Sequence, residues 1–139
     1  MQALVSVKDL LDVAGQVTTA GAKMRRHSAP AAQDAPVVQR LRAAGAVIVG
    51  KTNMTEFAFS GVGINPRFGT LGNAADVLYI PGGSSSGAGV NVGRGLVDIA
   101  IGSDTGGSVR IPAALSRPCH RWSSARPPTP RHPHGSTRR

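Results

Sequence analysis

The sequence predicts an α/β fold, and three observations carry the prediction. Short β-rich apolar runs alternate with a helix-patterned segment along residues 1–115. Glycines concentrate between residues 82 and 95, where they weaken helix and mark close approach of the backbone to a neighbour. Aromatic residues are only 4% of a chain that is 40% hydrophobic, which suits a core of Ala, Val, Leu and Ile. In chain order, Leu4-Val5-Ser6-Val7 reads as a short strand ending before Lys8-Asp9. Asp34 is a candidate helix cap, with Pro36 in the first turn, where a missing N–H costs little. Val37, Val38, Leu41 and Ala44 then share one helical face, and Gly45 fits a C-terminal stop. Ala46-Val47-Ile48-Val49 follows as a buried strand. Leu96 to Ile101 is a further apolar run, broken only by Asp98, and the loop after it precedes a helical turn.

Past Leu115 the character changes. Residues 116–139 hold five of the ten prolines, three of the four histidines and no apolar period, so they read as a disordered tail. The net charge of +9 is unevenly spread. Residues 1–115 carry ten Lys/Arg against seven Asp/Glu, whereas residues 116–139 carry six Arg and no acid. A uniformly basic domain would point to nucleic acid; a local basic tail does so far less, and nucleic acid is not the expected partner. No apolar run approaches the roughly 20 residues of a membrane span, and the N-terminus has no signal-peptide pattern. The single cysteine, Cys119, excludes an internal disulfide and fits a reducing compartment, so a cytoplasmic location without membrane partners is expected.

Several segments offer chemistry. Gly83-Ser84-Ser85-Ser86-Gly87 matches a nucleophile turn centred on Ser85, but the downstream histidines that would serve as base, His120, His132 and His134, all lie in the tail. Gly87-Ala88-Gly89-Val90-Asn91-Val92-Gly93 is a loose dinucleotide-type glycine pattern, weak by itself. No P-loop motif is present, and the histidines and Cys119 lack metal-ligand spacing within ordered sequence, so neither a cofactor nor a metal is expected. Lys8 and Lys51 each follow a short apolar strand. Desolvation there would favour the neutral amine and make either a base, against the plainer reading of a surface lysine lying along the sheet. In Gly102-Ser103-Asp104-Thr105-Gly106-Gly107-Ser108-Val109-Arg110, the paired glycines let backbone N–H groups converge before Ser108. Ser108 is thus either a nucleophile with its own oxyanion site or a helix cap.

Taken together, four segments resemble the amidase signature family of serine hydrolases: Val5-Ser6-Val7-Lys8-Asp9, Gly50-Lys51-Thr52-Asn53-Met54-Thr55-Glu56-Phe57, Pro81-Gly82-Gly83-Ser84-Ser85-Ser86-Gly87, and Gly102-Ser103-Asp104-Thr105-Gly106-Gly107-Ser108-Val109-Arg110-Ile111-Pro112. Their order and spacing both fit, over residues 1 to about 115. The resemblance implies a Ser–cis-Ser–Lys triad: nucleophile Ser108, relay Ser84 behind a cis Gly83–Ser84 bond, and base Lys8. Lys51 belongs to a supporting segment. The backbone N–H groups of Thr105, Gly106, Gly107 and Ser108 would stabilise the oxyanion, and an Asp104–Arg110 pair would brace the loop. The implied activity is hydrolysis of a small-molecule amide through an acyl-enzyme. The alternatives are the A subunit of a glutamyl-tRNA amidotransferase, with partner subunits, and a non-catalytic basic protein that binds nucleic acid through its tail.

The resemblance also implies what is incomplete. The family's fold is a large mixed sheet between helices, in chains of several hundred residues. This sequence corresponds to part of it, so a partial fold and a truncated, inactive product are expected. Residues 116–139 do not continue the pattern and resemble an out-of-frame reading of a GC-rich gene. Gly87-Ala88-Gly89-Val90-Asn91 is richer in glycine than the alanine-rich helix usual there, so that helix should be weak.

Overall fold

A computed structural model describes residues 2–116. Strand β1, Leu4–Lys8, forms the centre of a three-stranded sheet, and its residues from Val5 to Lys8 are all buried. Strands β2, Val47–Thr52, and β3, Ile99–Ile101, flank it in the order β2-β1-β3, both parallel to it. A central parallel strand is covered on both faces, and here even the Ser6 hydroxyl is buried, without a hydrogen-bond partner among the described residues. The pleat sends Val5 and Val7 to one face and Ser6 and Lys8 to the other.

The valine face meets helix α1, Pro36–Ala43. Val5, Val7, Val13 and Val38 form the buried core there, bordered by Leu11, Leu41 and Ile48. Burying each such side chain is worth about 1.5–3 kcal/mol. Pro36 opens α1, and Gly45 follows its C-cap residue Ala44. Asp34 does not cap it: the N-cap residue is Ala35 and no side chain satisfies that end. The Asp34 carboxylate is drawn instead to the Ala14 N–H (2.7 Å) and to Arg42 Nε (2.9 Å), a tertiary and a charged donor that outcompete the local turn.

Strand β2 lies at the edge of the described sheet, so the run expected to be buried leaves Val47 and Val49 exposed, and its register slips at a bulge. Val5 pairs with Ile48 but Ser6 with Gly50, which leaves Val49 as the extra residue. Beyond it Lys51 pairs with Val7 and Thr52 with Lys8. Neighbours in register share a face, so Lys51 and Lys8 lie on opposite faces of the sheet.

Helix α2, Ser86–Gly93, packs against the Ser6–Lys8 strand despite its glycines. Here the glycines serve packing. A Cβ on Gly87 would lie 2.8 Å from the Asn53 amide nitrogen, and one on Gly89 2.9 Å from Pro112 Cβ. Close seating against the end of β2 and against helix α3, Arg110–Leu115, offsets the low helix propensity. The apolar run from Leu96 is a strand only from Ile99. Its first residues close the preceding turn: the Leu96 N–H donates to Asn91 O, while Asp98 and Leu4 exchange two hydrogen bonds. Ser116 is buried and its N–H donates to Pro112 O, so it closes α3. Readings that rest on residues 117–139, including the basic tail, Cys119 and the three tail histidines, lie outside the described residues. Among the described residues no helix is long and apolar enough to cross a membrane.

Candidate active site

Parallel strands present their carboxyl ends at one edge, where ligand crevices of α/β sheets form. Lys8 is the last residue of β1, Asn53 follows β2, and Ser103 lies two residues beyond β3. Lys8 is fully buried. Its Nζ donates to Ser84 Oγ at 2.6 Å and to Ser103 Oγ at 2.8 Å. Burial pulls its pKa from the ordinary lysine range down to about 8, partly opposed by the negative charge of Asp104. An amine in that state exchanges a proton readily near neutral pH.

Ser84 is also fully buried, and the Gly83–Ser84 peptide is cis. Both sides of it are pinned. The Gly83 N–H donates to Gly61 O (2.7 Å), and the Thr55 N–H donates to Ser84 O (3.1 Å). Asn53 O accepts from the Gly87 N–H (2.9 Å) and from Ser86 Oγ (3.3 Å), which sets the start of α2. The Gly50–Phe57 segment thus holds the serine loop in place through its backbone. Lys51 stays apart, with its Nζ on Asp9 (2.7 Å), Thr18 Oγ1 (2.7 Å) and Val17 O (3.1 Å). A cavity of about 600 Å³ opens beside that pair, lined by Asp9, Lys51, Asn53 and Phe68, and touches none of Lys8, Ser84 or Ser108.

Ser108 reaches the serine loop through the backbone: the Ser85 N–H donates to Ser108 O at 3.0 Å. Its Oγ makes no hydrogen bond among the described residues, to Ser84 or to any other group. Nor does it cap α3, whose N-cap residue is Val109. That end is satisfied by Asp104, whose carboxylate accepts from the N–H groups of Gly107 (2.8 Å), Val109 (3.0 Å) and Arg110 (3.2 Å). Arg110 closes the loop with two side-chain bonds, Nε to Oδ2 at 3.2 Å and Nη2 to Oδ1 at 3.0 Å. The Arg110 guanidinium, then the Val109 N–H, hold the Asp104 carboxyl well below the usual carboxylate range. Of the four backbone donors named from the sequence, Gly107 is thus engaged by Asp104. Those of Thr105, Gly106 and Ser108 have no acceptor among the described residues.

Two other sequence readings fail on this geometry. Ser85, the centre of the nucleophile-turn pattern, is fully buried, and its Oγ lies between Ser103 O and the Ser103 N–H, each at 3.4 Å. It is an anchor of the loop. The glycine pattern of residues 87–93 lies within α2, packed on its neighbours, and forms no loop around a phosphate. Ser103 is a contact of Lys8 that sequence reasoning missed. Its signals are its place just beyond an apolar run and within the Gly102–Pro112 segment, neither of which pairs it with Lys8. Among the described residues no cluster of metal-ligating side chains occurs.

Residues 3–117 match the family described as Amidase. Over 117 residues the chain is 46% identical to the AtzE component of 1-carboxybiuret hydrolase from Pseudomonas sp. strain ADP, covering 84% of this chain and 25% of that one. It is likewise 46% identical to the indoleacetamide hydrolase of Pseudomonas savastanoi, over 87% of this chain and 28% of that one. The solved structure of the A subunit of glutamyl-tRNA(Gln) amidotransferase from Thermotoga maritima superposes with a TM-score of 0.78 at 39% identity, over 82% of this chain and 25% of that one. The chain therefore spans about a quarter of the length of these relatives.

Proposed function

This chain belongs to the Amidase family, and from that premise we propose that it carries the machinery for breaking the C–N bond of a carboxamide through an acyl-enzyme on Ser108. The observation that carries the reading is the fully buried pair of Lys8 Nζ and Ser84 Oγ, 2.6 Å apart. A lysine without solvent and without a partnering carboxylate within hydrogen-bond reach is costly as structure alone, and it makes chemical sense as a base.

Ser108 Oγ attacks the amide carbonyl carbon. Its proton passes to Ser84 Oγ as Ser84 gives its own to the neutral Lys8 amine. The tetrahedral oxygen is held by the N–H groups of Thr105, Gly106 and Ser108, which have no other acceptor among the described residues, the kind of preorganised donors that supply the largest electrostatic contribution in acyl transfer. Collapse breaks the C–N bond, and the proton on Lys8 returns through Ser84 to the leaving nitrogen. Water then releases the acyl group by the same relay. The relay requires Ser108 Oγ to turn onto Ser84, a closure that bound substrate supplies in many serine enzymes.

Turnover further requires walls for the acyl group. We infer that these 139 residues, which span about a quarter of the relatives' length, acylate on Ser108 without turning over amides by themselves. The test uses p-nitrophenyl acetate and simple amides. The expected result is a burst of nitrophenol with an acetyl mass increment on Ser108, absent from Ser108→Ala, and ammonia release no greater than that of Ser108→Ala. An equal burst in Ser108→Ala would remove the acyl-enzyme; ammonia release above that control would remove the inactivity. A second reading, ammonia delivery as one component of an amidotransferase, is favoured by the likeness to the Thermotoga maritima protein. Dependence of activity on partner subunits and tRNA separates the two.

A further inference from the structure

We propose that Ser103 is a positioning residue for Lys8: its hydroxyl takes one N–H of the neutral amine and so turns the amine lone pair toward Ser84. The proposal rests on the reading of Lys8 as the base of the relay. A neutral amine has two N–H donors and one lone pair, and a base must aim the lone pair at the proton it removes. Rotation about the Cε–Nζ bond offers three staggered settings. Ser84 Oγ, at 2.6 Å, is where the lone pair is needed. Ser103 Oγ, at 2.8 Å, is an acceptor that draws an N–H away from that direction.

Three features hold Ser103 there. The parallel pairing of Val7 with Ile101 brings the end of β3 beside Lys8. The fully buried Ser85 hydroxyl bridges the Ser103 backbone, accepting from its N–H and donating to its C=O, each at 3.4 Å. Asp104, the next residue, is tied into the α3 loop by Arg110. The second and third serines of the Ser84–Ser86 run thus have distinct tasks: Ser85 holds Ser103, and Ser86 bonds Asn53 O. When Lys8 takes the Ser84 proton, its ammonium donates to Ser84 Oγ and Ser103 Oγ at once. Ser103 itself neither gains nor loses a proton. Asp104 is the charged group that acts on Lys8 from this side.

The experiment uses the full chain with Ser103→Ala, Ser103→Thr and Ser103→Cys, and reads two quantities. One is the rate at which an alkyl fluorophosphonate modifies Ser108 as a function of pH. The other is the Lys8 titration midpoint, followed by NMR on lysine-labelled protein. Removing the acceptor should slow modification roughly tenfold to a hundredfold, the scale of a misaimed reacting group. It should also move the Lys8 midpoint further below about 8, because the hydroxyl favours the ammonium. Thr, which keeps the hydroxyl, should restore both; Cys, a weak acceptor of similar shape, should not. If Ala does not fold, the contrast between Thr and Cys decides. A Lys8 midpoint unchanged in Ala and Cys overturns the proposal whatever the labelling shows. A shifted midpoint with rates that Lys8→Met leaves unchanged would keep the contact, remove the base role, and so overturn positioning for catalysis.

Discussion

Two charged residues do most of the chemical arranging, and they do it oppositely. Loss of water favours the neutral form of Lys8, whereas a surplus of donors favours the charged form of Asp104. Because relay chemistry needs the neutral amine, modification of Ser108 should rise with pH through about 8 and level off above it. Lys8→Met should abolish that dependence. Stability carries the same signature. The folded pKa lies below the unfolded one, so between about 8 and the ordinary lysine range the unfolded chain binds more protons. Stability should therefore rise with pH across that interval, and urea midpoints of Lys8→Met should lack the rise. Asp104→Asn keeps the size of the side chain but gives up the charge that Arg110 and three backbone N–H groups meet. It should slow Ser108 modification roughly tenfold or more, as loss of loop order misplaces the nucleophile. An unchanged rate together with an unchanged melting midpoint would show that the pair braces nothing.

At the scale of elements, α2 gives the clearest test of packing against propensity. Gly87→Ala improves helix propensity by about 1 kcal/mol. Yet its methyl would meet the Asn53 amide nitrogen and Thr52 Cβ, both at 2.8 Å. Overpacking of this kind costs about 1–3 kcal/mol, so a net loss in urea denaturation is expected, and a gain would show that α2 has room. The elements also show what a sequence discloses. β1, α1 and the first half of β2 are legible because their signals are local: β-branched runs, Pro36 in the first turn, Gly45 at the stop. The short β3 and the idle α1 cap are not. Asp98 and Asp34 are committed to partners on distant segments, Leu4 and Ala14, which no local pattern displays. Lys8, Ser84, Ser108, Asp104 and Arg110 could be named from motifs. Ser103 could not, because its role depends on a strand pairing that brings residues 95 positions apart into contact.

At the scale of the whole molecule, the sheet formed by the described residues is flanked at its centre and has open edges at β2 and β3. The outer strands expose Val49 and Ile99, Leu96 stands half clear before β3, and Leu78 and Tyr79 are largely uncovered. Open parallel edges beside apolar side chains favour pairing with another chain. At micromolar concentration the chain should sediment as oligomers, and Val49→Lys on the β2 edge should shift it toward monomer; a monodisperse monomer of the unmodified chain would contradict this. The site itself sits at the covered centre, where β1 is flanked on both sides. Under the proposed reading, a competent nucleophile is expected even if amide turnover is absent. The most direct measurement is site-mapped reaction with an alkyl fluorophosphonate, read by peptide mass and by rate. Modification confined to Ser108, and lost in Lys8→Met and in Ser84→Ala, is the predicted result. Modification on Ser85, or an undiminished rate at Ser108 in Lys8→Met, would contradict it.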